Sequence, residues 1–278
     1  MSGMWMLTMW LACGARRAPE RAPKELALES LDQAYAQRTT LETLEANIQA
    51  SLDLLSLDPK DADYLVRTSR AFSARAITRQ AESEKLSDLE TARSYGLLCL
   101  AGNTGYSVRI KQAGGQILGA ATKQLQKRDA LCIEQTLIAW VRWMEVRGPA
   151  GLVDAKAVRY LAERLIVLEP EGWVGPWAKA MVFSLPQAGA RAPLERSEQL
   201  FAQAILAEPR LAEIHLDYIK FQLPNVGEAQ VSAALAAFPS EHPPGADGPW
   251  GLENKVARSE ALGTSSEALM LRVWPTPR

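Results

Sequence analysis

Histidine and cysteine are scarce in this chain of 278 residues, which contains two histidines and three cysteines. Neither His215 nor His242 lies in a metal-ligand pattern or beside the signature of a catalytic nucleophile. We therefore expect no catalytic residue, no metal site and no cofactor. An enzyme would need a convergent polar site, and the sequence shows no pattern for one, so we expect a binding protein.

An excess of one charge is also missing, because 31 basic residues oppose 32 acidic ones and the formal net charge is -1. No overall positive field would draw the chain onto nucleic acid, and a nucleic-acid partner is not expected. Prolines and glycines occur between apolar segments and do not form a long linker. With 47% hydrophobic residues, the chain can bury a sizeable core.

Helical spacing dominates what is present. Apolar residues recur at steps of three and four, as in the run from Leu41 to Leu55, which places them on one face of a helix. No strand-like alternation competes, so the predicted fold class is all-α. Thr40 and Asp154 precede such runs and are predicted helix caps. The predicted helices are residues 25–37, 40–57, 62–81, 86–100, 105–126, 131–146, 154–168, 174–184, 194–207, 211–222, 228–237 and 252–262.

Three of these helices end in a shared pattern of an apolar or small residue, an acid and a proline that cannot continue the helix. The three sites are Leu57-Asp58-Pro59, Leu168-Glu169-Pro170 and Ala207-Glu208-Pro209. Before the last site, Ser197, Phe201 and Ala204 have the spacing of the second helix of a tetratricopeptide repeat. We therefore expect degenerate tetratricopeptide-like antiparallel helix pairs that form a compact α-α superhelix, in one domain over residues 24–278.

The amino terminus is typical of an export signal. An uncharged, mostly apolar run from Trp5 to Ala12 precedes Cys13 and resembles the lipobox at which bacterial lipoprotein precursors are acylated and cut. Residues 1–12 are thus predicted to be a signal peptide and residues 13–23 a lipidated tether, which would anchor the protein in a membrane facing the periplasm. The alternative is an apolar terminus with a chance cysteine, since no basic residue precedes the run.

Two further cysteines, Cys99 and Cys132, lie inside predicted helices, where cysteine usually acts as a small buried hydrophobe. An odd number of cysteines in an exported chain leaves one free or modified, and the position of Cys13 suggests that it is the modified one. A disulfide between the other two is possible in an oxidising compartment.

Tryptophans supply the candidate site. Trp140 and Trp143 lie on one predicted helix, and Trp173 and Trp177 lie at the start of a later one. Together they are candidates for a shared apolar ligand groove or an interface, with ordinary core packing as the alternative. Arg142, between two of the tryptophans, is a candidate ligand for a carboxylate, with a surface salt bridge as the alternative.

The order of motifs in much of the chain, about residues 47–262, resembles the T-component family of the tripartite ATP-independent periplasmic (TRAP) transporters. The matching segments are Leu137 to Trp143, Val158 to Pro170, Gly175-Pro176-Trp177-Ala178, Ser184-Leu185-Pro186 with the Phe201 helix, and Leu252 to Asn254 followed by Ala257, Ala261 and Leu262.

The resemblance implies a periplasmic lipoprotein that assembles as a homotrimer with a central channel. It also implies binding to the solute-binding protein of a TRAP system and relay of a small apolar ligand. The alternative is a generic tetratricopeptide-like scaffold that recognises peptide segments in a concave groove.

Overall fold

The computed structural model describes residues 23–38, 40–184, 194–243 and 248–263. Within them the chain is helical almost throughout and contains no strand, which confirms the all-α class. The predicted signal peptide, Cys13 and the tether up to residue 22 lie outside the described residues. The helices are α1 Pro23–Ala36, α2 Leu41–Leu57, α3 Ala62–Thr78, α4 Glu82–Ala101, α5 Thr104–Gln112, α6 Gly119–Thr122, α7 Ala130–Arg147, α8 Ala155–Leu168, α9 Val174–Ser184, α10 Leu194–Ala207, α11 Ala212–Val226, α12 Glu228–Glu241 and α13 Gly251–Gly263.

Local sequence signals set several of the helix ends. The helices α2, α8 and α10 end at Leu57, Leu168 and Ala207, directly before the acid and proline that predicted each stop. Thr40 caps α2 as expected: its hydroxyl accepts a hydrogen bond from the backbone N–H of Thr43 at 3.2 Å. The Thr43 hydroxyl in turn accepts from the Thr40 N–H at 3.2 Å, which completes a capping box.

One predicted helix was wrong. The sequence predicted a single helix over residues 105–126, but α5 ends at Gln112 and only a short α6 follows. Gly114 and Gly115 have φ values of 63° and 88°, in the left-handed region that glycine tolerates. Their N–H groups donate to the carbonyls of Lys111 and Ile110, at 3.1 and 2.9 Å, which is the pattern of a glycine-terminated helix.

The helices of the main core pack mostly on their neighbours in the chain. The helix α2 packs on α3, α3 on α4, α4 on α7, and α7, α8, α9 and α10 follow in order. Ser197, Phe201 and Ala204 of the predicted half-repeat are all buried on α10, at 1% or less exposed. Their burial agrees with the pattern, while the tetratricopeptide-like pairing itself stays a proposal.

The helices α4 and α7 approach each other closely within the main core. Cys99 and Cys132 form a disulfide between them, with their Cα atoms 5.6 Å apart. Gly96 lies against Thr136 so closely that a Cβ on the glycine would come within 2.9 Å of the threonine Cα. The disulfide that was possible from the sequence is therefore present in the structure, where both helices approach closely enough to form it.

A second, smaller core closes the fold. Residues of α11, α12 and α13, including Leu216, Leu235 and Phe238, form this C-terminal core. The last helix also reaches back to the first helices: Leu252 packs with Leu44 of α2 and Ala74 of α3. In the closing pattern that carried the resemblance, Leu252 is buried in this contact, and Ala257 and Ala261 are buried in the C-terminal core. Leu262 of the same pattern is 72% exposed.

None of the described helices combines the length and the apolar character that crossing a bilayer requires.

Candidate functional site

The first tryptophan pair lies on α7 and packs against α4. Trp140 and Trp143 are 5% and 9% exposed. The guanidinium of Arg93 lies over both rings, 5.2 Å from the centroid of Trp140 and 4.3 Å from that of Trp143. The Trp140 indole N–H donates to Asp154 at 3.0 Å. Asp154 is therefore not the side-chain cap that the sequence predicted, because its carboxylate binds Trp140 and Arg93 and makes no capping bond.

The second pair belongs to a different set of contacts, with Trp177 in the first turn of α9 and Trp173 directly before the helix. Trp177 is 1% exposed, and its indole N–H donates to Asp217 at 2.8 Å. Trp173 packs against the Trp177 ring at 5.6 Å and against the Trp250 ring at 5.9 Å between centroids, the latter in an edge-to-face geometry.

Trp250 is the aromatic residue that the sequence analysis missed. It belongs to a second copy of the tripeptide that contains Trp177, since residues 175–177 and residues 248–250 both read Gly-Pro-Trp. The fold brings the two tripeptides together through Trp173. The repeated tripeptide is the signal that could have found it.

Arg142 is the centre of the site. It lies between Trp140 and Trp143 in sequence, and its guanidinium is 4.9 Å from the Trp177 ring centroid. It binds Asp217 through two nitrogens, at 3.0 and 2.7 Å, and also contacts Glu145 at 2.5 Å and Glu213 at 2.7 Å. The sequence-based alternatives were a bound carboxylate or a surface salt bridge. In the structure the carboxylates come from this chain, and with 13% of the Arg142 side chain exposed the pairing lies mostly inside the fold.

Lys220 extends the cluster towards the last helix. Its ammonium lies 2.7 Å from Glu260 of α13 and 3.9 Å from Asp217 of α11. We call these six side chains the Arg142 cluster; they are Arg142, Glu145, Glu213, Asp217, Lys220 and Glu260. Two cations among four carboxylates leave a formal charge of -2 when all are ionised. The cluster therefore holds more acid than its bases neutralise.

Burial and this excess of acid shift the titration of the cluster. Desolvation raises the pKa of Glu213 to about 7; Arg142 opposes the rise, and Asp217 adds to it. Desolvation also raises the pKa of Glu145. Burial alone would lower the pKa of Arg142, but the surrounding carboxylates raise it well above its ordinary value, so this residue stays charged.

The space beside the cluster is small. A depression next to Glu145, lined by Val141, Met144, Met181 and Val182, has room for about one water molecule. In this conformation it does not hold an organic ligand. Within the described residues, no three His, Cys, Asp or Glu side chains are grouped so that they could bind a metal ion.

The cluster joins the two cores. Arg142 and Glu145 belong to α7 and Trp177 belongs to α9, two helices of the main core. Glu213, Asp217 and Lys220 lie on α11, which contributes Ile214 to the main core and Leu216 to the C-terminal core. Hydrogen-bonded charges in a partly buried site are strongly oriented, and they cost free energy when one partner is lost. The arrangement can therefore fix how α11 and α13 sit against the main core.

The comparisons with known proteins add no family. No protein-family model matches the sequence, and no curated protein matches it significantly.

We expect Glu213 to make the stability of the protein depend on pH. Its folded-state pKa, about 7, lies above the ordinary 4.5, so the protonated form favours folding. This contribution to stability is complete below the ordinary pKa and is lost as the pH rises through about 7. Glu213→Gln mimics the protonated form. The unfolding free energy of this variant relative to the wild type should therefore increase by about 1–3 kcal/mol as the pH rises from about 4.5 to 8.

Urea unfolding of both proteins across this pH range measures the difference. Glu42→Gln, an exposed substitution on α2, serves as the control for loss of a surface carboxylate. The raised pKa of Glu213 would be contradicted if the difference in unfolding free energy between Glu213→Gln and the wild type stayed constant with pH. It would also be contradicted if the variant became the less stable protein at alkaline pH.

Proposed function

We propose that this protein is an exported, lipid-anchored helical scaffold that binds a protein partner, with Cys13 as the acylated residue. The consecutive stacking of helices from α2 to α10 carries the proposal. Stacked helix pairs present extended surfaces for other proteins rather than one enclosed site. In agreement with this, the charged side chains of the Arg142 cluster bind one another.

The disulfide supports export. A bond between Cys99 and Cys132 persists in oxidising compartments such as the bacterial periplasm and is rare in a reducing cytosol. Export also fits the apolar run before Cys13. The periplasmic location is part of the proposal and rests on these two features together.

The partner follows from the resemblance to the TRAP T-component family. On this basis the protein binds the solute-binding protein of a TRAP system, assembles as a homotrimer and relays a small apolar ligand. Trp173 packs beside Trp250 and is only partly buried. Among the four candidate tryptophans it therefore has the most exposed surface for contact with a ligand or partner. Relay of a ligand would require α7 and α9 to move apart, because the depression between them beside Glu145 is too small.

The test uses protein extracted from membranes with detergent. Mass spectrometry of the wild type should show an acylated chain that begins at Cys13, whereas Cys13→Ala should be unacylated and released from the membrane. Light scattering should give a trimer. Mixing with the solute-binding protein encoded beside a TRAP permease in the same genome should give a complex at micromolar concentrations.

Each outcome addresses a separate part of the proposal. An unmodified soluble chain that retains residues 1–12 would remove the anchor and the export. An acylated protein that forms no complex with the solute-binding protein would remove the TRAP assignment, and the generic peptide-binding scaffold would then be the better account.

A further inference from the structure

The stretch from the second half of α4 to Arg128, shortly before α7, carries charge of only one sign. Between Thr91 and Arg128 the sequence contains no Asp or Glu, although the chain as a whole is almost neutral. The basic residues of this stretch are Arg93, Arg109, Lys111, Lys123, Lys127 and Arg128. The stretch is therefore a local concentration of positive charge that the net charge of -1 conceals.

Most of these cations are not used inside the fold. Arg93 binds Asp154, and Lys127 binds Glu169. Arg109, Lys111 and Lys123 are exposed, and no carboxylate in the described part of the chain forms an ion pair with them; the same holds for Arg128. Four cations are thus left facing solvent.

Exposed aliphatic side chains accompany them. Val108, beside Arg109 on α5, is 46% exposed, and Leu118, which precedes α6, is 37% exposed. Between them Gly114 and Gly115 turn the chain where a Cβ would meet nothing within 4 Å, so the turn projects into open space. We call this the basic surface; it comprises Val108, Arg109, Lys111, the two glycines, Leu118 and Lys123.

The fold supports the basic surface from beneath. Asn103 caps α5, accepting from the Tyr106 N–H at 3.0 Å, and its amide donates to Asp129 at 2.8 Å. Tyr106 itself is 4% exposed and belongs to the main core. Gly119, at the start of α6, lies against the ring of Tyr160 on α8. The inner side of the segment is therefore fixed, and its outer side carries the cations.

We propose that the basic surface binds the headgroups of an anionic phospholipid bilayer. Lys and Arg near an anionic leaflet are attracted to it, and aliphatic side chains among them add burial at the headgroup boundary. A protein partner is the less suitable occupant, because protein interfaces concentrate binding energy in aromatic anchors and pockets, and this projecting turn has neither. The inference goes beyond the proposed scaffold function and does not depend on acylation of Cys13.

Vesicle binding tests the inference on the full-length chain with Cys13→Ala, so that no acyl chain contributes. This protein should sediment with phosphatidylcholine vesicles that contain phosphatidylglycerol far more than with phosphatidylcholine alone, and added salt should weaken the preference. Each cation near the surface raises the partition coefficient roughly fivefold, so Arg109→Gln/Lys111→Gln/Lys123→Gln should lower it roughly 100-fold on the anionic vesicles.

A matched variant removes the same charge elsewhere. Arg147→Gln/Arg210→Gln/Lys255→Gln alters three exposed cations outside the basic surface and should keep most of the preference. An equal loss in both triple variants, or a wild type that does not distinguish the two vesicles, overturns the proposal. Binding to immobilised polyglutamate without any vesicle preference would also overturn it and would point to an acidic protein. All six side chains are exposed, and circular dichroism checks that both variants fold.

Discussion

Replacement of Arg142 by methionine should lower the free energy of unfolding by about 3–5 kcal/mol, because it leaves buried carboxylates without their cation. Asp217, 1% exposed, would lose two hydrogen bonds, and Glu145 and Glu213 would lose their main partner. The remaining cation of the cluster, Lys220, lies 3.9 Å from Asp217 and is already bound to Glu260. Urea denaturation at pH 8 measures the loss of stability, because the carboxylates of the cluster are most fully ionised at this pH.

An exposed arginine on the same helix, Arg147, supplies the control. Arg147→Met, in the last turn of α7, should change stability by no more than about 0.5 kcal/mol. Adding Glu213→Gln to Arg142→Met should restore part of the loss, since it removes one of the uncompensated carboxylates. Equal effects of Arg142→Met and Arg147→Met would show that the cluster does not stabilise the junction between the two cores.

Removal of the disulfide should have an effect of similar size. Cys99 and Cys132 are separated by 33 residues along the chain. Closing a loop of this length restricts the unfolded chain by about 4 kcal/mol in the loop-entropy description. Cys99→Ala/Cys132→Ala should therefore unfold at lower urea than the wild type, and treatment of the wild type with a reductant should approach the same value.

Cys13→Ala is the matched control, since it removes a cysteine and leaves this disulfide in place. Thiol titration in denaturant should count one free thiol in the unacylated wild type and none in Cys13→Ala. Unchanged stability in the double variant, together with three titratable thiols in the wild type, would contradict the bond and would remove its support for export.

The helices could be predicted because their signals are local. Apolar residues at steps of three and four, and an acid followed by proline, act within one or two turns of the chain. The helix over residues 105–126 failed at Gly114 and Gly115, where two consecutive glycines permit a left-handed stop that helical periodicity does not register. Asp154 failed as a cap because more distant partners, Trp140 and Arg93, bind its side chain.

The centre of the candidate site depended on distant residues and was only half predicted. Arg142 and Trp177 were singled out from the sequence, but their common partner Asp217 lies 75 and 40 residues away from them. Nothing in the spacing of Asp217 distinguishes it from a solvated helix residue. The order in which the helices stack decides which acid pairs with which base. No local sequence pattern predicts that order.

The contact between α1 and α13 has a consequence for the order of synthesis. Arg38, two residues after the end of α1, is 4% exposed and binds both carboxylate oxygens of Glu253, at 2.6 and 2.7 Å, across 215 residues of chain. The first helix therefore leaves the ribosome or the export channel long before its partner exists. Contacts so distant in sequence form slowly. Until α13 arrives, the guanidinium of Arg38 stays hydrated and Leu44 lacks its contact with Leu252, so the packing of α1 and α2 is completed only after α13 has been made.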